Sequence, residues 1–178
     1  MSRNMDQEFY RKELASFLPE RMFDMHAHLW SERFCELRNP TGFASDVTYD
    51  EYTRLMQQAF PDHVFGGWFL PKPLLKDREK DALAASEWVA EQVAGRTDAY
   101  GAFLLRPEDD PEWVREQAQR LGLRGLKCYQ TLAKSRPTYE ADIPDYLPES
   151  CVRVAHEEVR SRPRDVWFRF RRGKPHQG

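Results

Sequence analysis

The sequence predicts an α/β fold built around a parallel β-sheet. Two observations support this: strand-like and helical segments alternate four times after a lead-in helix, and the strand-like segments are nearly continuous apolar runs. Continuous apolar runs are typical of strands covered on both faces, and alternating strands and helices form right-handed crossover units. An open doubly wound sheet and a barrel both fit this pattern.

The strands and helices are predicted from hydrophobic periodicity and from capping and turn residues. The strand-like runs lie at 21–29, 63–70, 99–105 and 124–129. The helical segments lie at 6–17, 48–59, 77–94, 110–122 and 145–158, with long polar loops at 30–45 and 130–142. The sharpest helix signals are the capping box of Thr48 and Glu51, the Asp110-Pro111 start, and Gly95 as a stop. No glycine-rich phosphate-binding motif follows a strand, so a nucleotide-binding sheet has no support.

Composition indicates one folded domain with an uneven charge distribution. The chain has 178 residues, 40% of them hydrophobic, and a net charge of −2. Residues 159–178 carry a charge of +6 and the rest of the chain −8. We therefore predict a domain at 1–158 and a basic tail at 159–178 that is disordered or read out of frame.

Cysteine usage and hydropathy predict a cytoplasmic protein. The cysteines (Cys35, Cys128 and Cys151) are far apart and odd in number, which favours reduced thiols over a disulfide framework. The first residues contain no apolar signal core, and no apolar run approaches the ~20 residues of a membrane span. We expect no membrane association.

The most informative motif is His26-Ala27-His28 at the end of the first strand-like run. Alternation along a strand places both imidazoles on one face, with Asp24 below them on the same face. Two neutral imidazoles at a strand end form half of a metal site. The sequence thus predicts His26 and His28 as metal ligands.

The chain resembles the N-terminal half of the amidohydrolase superfamily, in particular its amidohydrolase-related (amidohydrolase 2) branch. The motif Phe23-Asp24-Met25-His26-Ala27-His28 looks like the metal motif of that family's first strand. Gly125-Leu126-Lys127-Cys128-Tyr129 resembles the G-x-K pattern of its fourth strand. The resemblance covers about residues 20–158.

The resemblance implies a (β/α)8 (TIM) barrel and a metal-dependent hydrolase. Such an enzyme cleaves an amide, ester or lactone bond of a small molecule, or decarboxylates it, with a divalent ion, zinc first and manganese or another ion as alternatives. Lys127 is then a catalytic residue, either carbamylated between two metals or a cation that binds a substrate carboxylate. Asp24 is expected to orient an imidazole. Four loop residues are candidates to line the pocket: Trp30, Tyr129, Arg136 and Tyr139.

The sequence also departs from the family. A (β/α)8 barrel needs ~250 residues, and the histidines of strands five and six and the aspartate of strand eight have no counterpart here. We therefore expect a truncated barrel of about four β-α units, and an alternative reading is an inactive fragment with vestigial ligands. Open sheet edges predict self-association. For the tail, a basic arm that binds nucleic acid or an acidic partner is the less favoured alternative.

Overall fold

The computed structural model describes residues 7–34, 46–72 and 81–161. Four strands are present: β1 (Arg21–Leu29), β2 (Val64–Pro71), β3 (Ala99–Leu104) and β4 (Gly125–Lys127). The α-helices are α1 (Tyr49–Ala59), α2 (Ala82–Val93), α3 (Pro111–Arg120), α4 (Ile143–Tyr146) and α5 (Glu149–Ser161). A π-helical turn (Tyr10–Leu14) precedes β1. The predicted alternation of strands and helices is confirmed.

Local signals set most helix ends. Thr48 accepts the Glu51 N–H at the start of α1, and Asp110 accepts the Trp113 N–H at the start of α3 with Pro111 in the first turn. These are the caps that the sequence predicts. Gly95, just after α2, has φ +72°, a conformation that favours glycine.

One predicted helix is wrong. The segment 145–158 is not continuous: α4 ends at Tyr146 and α5 begins at Glu149. Pro148 causes the break, because proline donates no N–H and disfavours the helical conformation of Leu147, which has φ −136° and ψ 83°. The start of the predicted helix at 77, residues 35–45 of the first loop and the tail from 162 lie outside the described residues.

The four strands form one parallel sheet in the order β1-β2-β3-β4. β1 pairs with β2 from Arg21 opposite Val64 to Leu29 opposite Pro71, and Leu104 of β3 lies opposite Lys127 of β4. Each new strand is added at the same edge, and the order does not reverse within the described strands. The carboxyl ends of all four strands therefore lie along one edge.

The hydrophobic core lies between one face of this sheet and the helices. Alternate strand residues, among them Ala27, Leu29, Phe65, Phe69 and Ala99, pack with Tyr49 and Tyr52 of α1 and Val89 of α2. A second cluster joins Phe103 and Leu123 to Ala90 of α2, Val114 of α3 and Cys151 of α5. Each of these side chains is at most 9% exposed, so burial of this face stabilises the sheet.

The opposite face carries large aromatic side chains, which we call the aromatic face: Phe23 (β1), Trp68 (β2) and Tyr100 (β3). The ring centroids of Phe23 and Tyr100 are 6.0 Å apart, and those of Trp68 and Tyr100 are 6.2 Å apart. The guanidinium of Arg124 lies 4.5 Å from the Tyr100 ring centroid. These rings are half-buried and form a second apolar layer.

Among the described residues, no helix has both the length and the apolar character needed to cross a membrane.

Candidate metal and substrate site

His26 and His28 lie near the carboxyl end of β1, as predicted, and their rings are adjacent. The ring centroids are 5.1 Å apart with an interplanar angle of 67°. His28 lies opposite Leu70 in the sheet, and its neighbours Ala27 and Leu29 point into the buried helix side. The His28 ring therefore lies on the face away from the helices, where His26 is exposed and His28 half-buried.

Asp24 does not lie on this face, so the prediction that it supports an imidazole is wrong. Between two successive paired positions, β1 advances three residues (Asp24 to Ala27) while β2 advances two (Gly67 to Phe69). This register shift inverts the alternation of side chains along β1. Asp24 instead accepts a hydrogen bond from the Tyr52 hydroxyl of α1 at 3.2 Å. Its other oxygen accepts the His26 backbone N–H at 2.9 Å. Asp24 thus shapes the backbone beneath the histidines and contacts neither ring.

The environment of His28 favours the neutral imidazole. Burial lowers its pKa most, and the charges of His26 and then Lys127 lower it further. The backbone groups of Pro71 and Leu70 act in the opposite sense, because nearby carbonyl oxygens favour the protonated ring. A neutral imidazole is the form that ligates a metal ion.

Lys127 and Tyr129 join this site from β4. The Lys127 ammonium lies 4.7 Å from the Tyr129 ring centroid. The Tyr129 ring in turn lies near the His28 ring, with centroids 6.4 Å apart and an interplanar angle of 30°. In a flat sheet β1 and β4 would be about 14 Å apart, so the curvature of the sheet and the path of the chain after β4 bring these residues together.

The separation of the two imidazole rings allows a shared divalent ion. With zinc–nitrogen bonds of about 2.1 Å, two imidazole centroids on one tetrahedral ion are separated by roughly 5.2 Å. The observed separation of 5.1 Å agrees with this value. Within the described residues, no group of three or more His, Cys, Asp and Glu side chains is placed to hold a metal.

The remaining described histidines lie elsewhere. His63 precedes β2, at the opposite end of the sheet, where its ring is buried between the Tyr10 hydroxyl (2.6 Å) and the Pro19 carbonyl (2.8 Å). His156 is exposed on α5. Neither contributes to the site.

The four loop residues predicted to line the pocket have different surroundings. Tyr129 contacts a predicted ligand, at His28. Trp30 follows β1 directly, and the Lys72 ammonium lies 4.3 Å from the centroid of its ring. Arg136 donates to the carbonyls of Ala133 and Ser135 in its own loop, and Tyr139 is 74% exposed.

A sequence signal for Tyr129 exists. Tyr129 is two residues after Lys127, so strand alternation continued beyond β4 places both side chains on one face. The contact with His28 still required the tertiary structure, because the two residues are 101 positions apart.

Comparisons of the chain with models of known protein families, with curated proteins and with solved structures gave no match.

Proposed function

We propose that this chain forms half of a (β/α)8 barrel and belongs to the metal-dependent hydrolases of the amidohydrolase type. The observation that carries the proposal is the adjacency of His26 and His28 at the carboxyl end of β1, with Lys127 of β4 linked to His28 through the ring of Tyr129. In such barrels the active site is formed at the carboxyl ends of the strands. The reaction is hydrolysis of an amide, ester or lactone bond, or a related decarboxylation.

Strand order supports a barrel over a doubly wound sheet. A doubly wound sheet reverses its order at a switch point, beside which ligands bind. The order β1-β2-β3-β4 has no such point within the described strands. Contact between Tyr129 and His28 across three strand spacings supports a curved sheet.

His26 and His28 are proposed to hold the divalent ion, zinc being the first choice. When bound, the ion supplies Lewis acidity and a nucleophile at neutral pH. Burial and the neighbouring charges keep His28 neutral and ready to ligate. The ammonium form of Lys127 suits its position on the Tyr129 ring, because a cation is attracted to the ring face. Lys127 is therefore proposed to bind an anionic substrate group as a cation, in preference to the carbamylated form.

Zinc titration of the metal-free protein tests this proposal. We expect the wild type to bind zinc, and the His26→Ala/His28→Ala double variant to lose at least ~10-fold in affinity because both proposed ligands are removed. His156→Ala is the matched control, since this exposed histidine lies on α5, away from the site. A double variant that binds zinc as tightly as the wild type would contradict the assignment.

Turnover is measured on the same proteins with a panel of amides, lactones and aryl esters. Zinc-dependent hydrolysis that the double variant lacks supports the hydrolase. Zinc binding without turnover of any panel member supports the alternative given by the sequence, an inactive fragment that keeps its metal ligands.

A further inference from the structure

We propose that Tyr129 is a positioning residue that fixes the tautomer of His28. In this arrangement the imidazole keeps its hydrogen on Nδ1 and presents Nε2 as the atom with the free lone pair. The inference deepens the proposed function, on which it rests for the role of His28 as a ligand. The tautomer itself follows from hydrogen bonds alone.

The hydroxyl of Tyr129 has only one hydrogen, and the structure shows where it goes. The Tyr129 oxygen lies 2.6 Å from the Pro71 carbonyl oxygen at the end of β2. A carbonyl only accepts, so the hydroxyl must donate to it. The same oxygen lies 3.4 Å from Nδ1 of His28. Because its hydrogen is used on Pro71, it presents only lone pairs to that nitrogen. A hydrogen on Nδ1 is attracted to these lone pairs, whereas a lone pair on Nδ1 would be repelled.

The contact also depends on the orientation of the imidazole ring. The ring planes of Tyr129 and His28 are inclined by 30° with centroids 6.4 Å apart, and the tyrosine hydroxyl meets the imidazole at its Nδ1 edge. Turning the imidazole over would replace Nδ1 by a carbon and lose the contact.

A fixed tautomer matters for metal binding. An imidazole ligates through its unprotonated nitrogen, and the hydrogen bond of the other nitrogen decides which atom that is. The Tyr129 hydroxyl lies on the Nδ1 side of His28, so Nε2 is the nitrogen left to ligate. Tyr129 thus acts on the ion through His28 and does not itself need to touch it.

Nitrogen chemical shifts of the histidine rings test the tautomer without metal. Protein labelled with 15N-histidine is measured at about pH 8.5, two units above the ordinary imidazole pKa, so that the rings are neutral. We expect a protonated Nδ1 and an unprotonated Nε2 for His28, whose signals are assigned by their loss in His28→Gln. His63 provides an internal reference for this tautomer, since its Nδ1 donates to the Pro19 carbonyl.

The Tyr129→Phe variant should shift the His28 population towards a hydrogen on Nε2, because the hydroxyl acceptor is gone. Tyr139→Phe is the control: this residue is 74% exposed, and loss of its hydroxyl should leave the spectrum unchanged. A wild-type His28 with its hydrogen mainly on Nε2 would overturn the inference. An unchanged His28 tautomer in Tyr129→Phe would do so as well.

Zinc titration of these variants separates the inference from the proposed function. Tyr129→Phe should bind zinc ~10–100-fold more weakly than the wild type, the usual effect of removing a group that orients a ligand. Equal zinc affinities of Tyr129→Phe and the wild type would overturn the positioning role. If the wild type binds no zinc, the proposed function fails, and the tautomer measured without metal still tests the hydrogen-bond argument.

Discussion

The indole of Trp68 occupies the space where a side chain on Gly125 would begin. A β-carbon built on Gly125 of β4 would lie 2.5 Å from Cζ2 of Trp68, which projects from β2 onto the aromatic face. β2 and β4 are not neighbours in the sheet, because β3 lies between them. The Trp68 ring therefore crosses over β3 and covers part of the aromatic face.

Gly125→Ala should destabilise the protein by about 1–3 kcal/mol, the usual cost of inserting a methyl group into a packed layer. Urea unfolding measures the loss. The double variant Trp68→Leu/Gly125→Ala tests the cause. The smaller leucine side chain should leave room for the alanine, so the losses of unfolding free energy from the two changes should be less than additive. A fully additive pair would show that Trp68 is not the obstacle.

Tyr10→Phe should cost about 1–3 kcal/mol of unfolding free energy by leaving a buried acceptor without its donor. In the neutral imidazole of His63, Nδ1 donates to the Pro19 carbonyl at 2.8 Å, and Nε2 accepts from the Tyr10 hydroxyl at 2.6 Å. Tyr139→Phe is the control, with an expected change within ~0.5 kcal/mol because Tyr139 is on the surface. Equal stability of the two variants in urea would argue against the buried bond.

Ser86→Ala should destabilise the protein by about 1–3 kcal/mol, because the Leu104 N–H of β3 loses its acceptor. The fully buried Ser86 hydroxyl accepts from Leu104 and donates to the Ala82 carbonyl, both at 2.9 Å. Thr53→Ala is a matched control, since Thr53 makes the same bond to the Tyr49 carbonyl four residues earlier. A loss in Ser86→Ala no larger than in Thr53→Ala would mean that the Leu104 contact adds nothing.

Stability should fall at alkaline pH, in part because of Tyr52. Burial first, and then the Asp24 carboxylate, raise the pKa of Tyr52 above its ordinary value of 10.0. A raised pKa means that the folded state holds the proton more tightly than the unfolded state. This contribution is fully present below pH 10.0 and is lost as the pH rises above it.

Urea midpoints between about pH 9 and pH 11 measure the alkaline loss, which for one group reaches up to about 1.4 kcal/mol per pH unit. Tyr52→Phe should reduce the slope above pH 10.0. Tyr139→Phe should leave it as in the wild type, because Tyr139 is exposed. A Tyr52→Phe slope equal to that of the wild type would contradict the prediction.

Local sequence determined the elements of this protein and the identity of the two histidines. Apolar runs gave the strands and side-chain caps gave the starts of α1 and α3, because these signals act over a few residues. His26 and His28 could be predicted as a pair because strand alternation is also local. Pro148 was equally visible in the sequence, and the break between α4 and α5 follows from it.

Tertiary structure decided the strand order, the place of Asp24 and the partner of His28. Both an open sheet and a barrel fit the periodicity, and only pairing between strands fixes the order β1-β2-β3-β4. The register shift in β1 depends on its fit to β2, and it turned Asp24 towards Tyr52. Tyr129 meets His28 across 101 residues. Such contacts depend on how whole elements pack, which a short stretch of sequence does not encode.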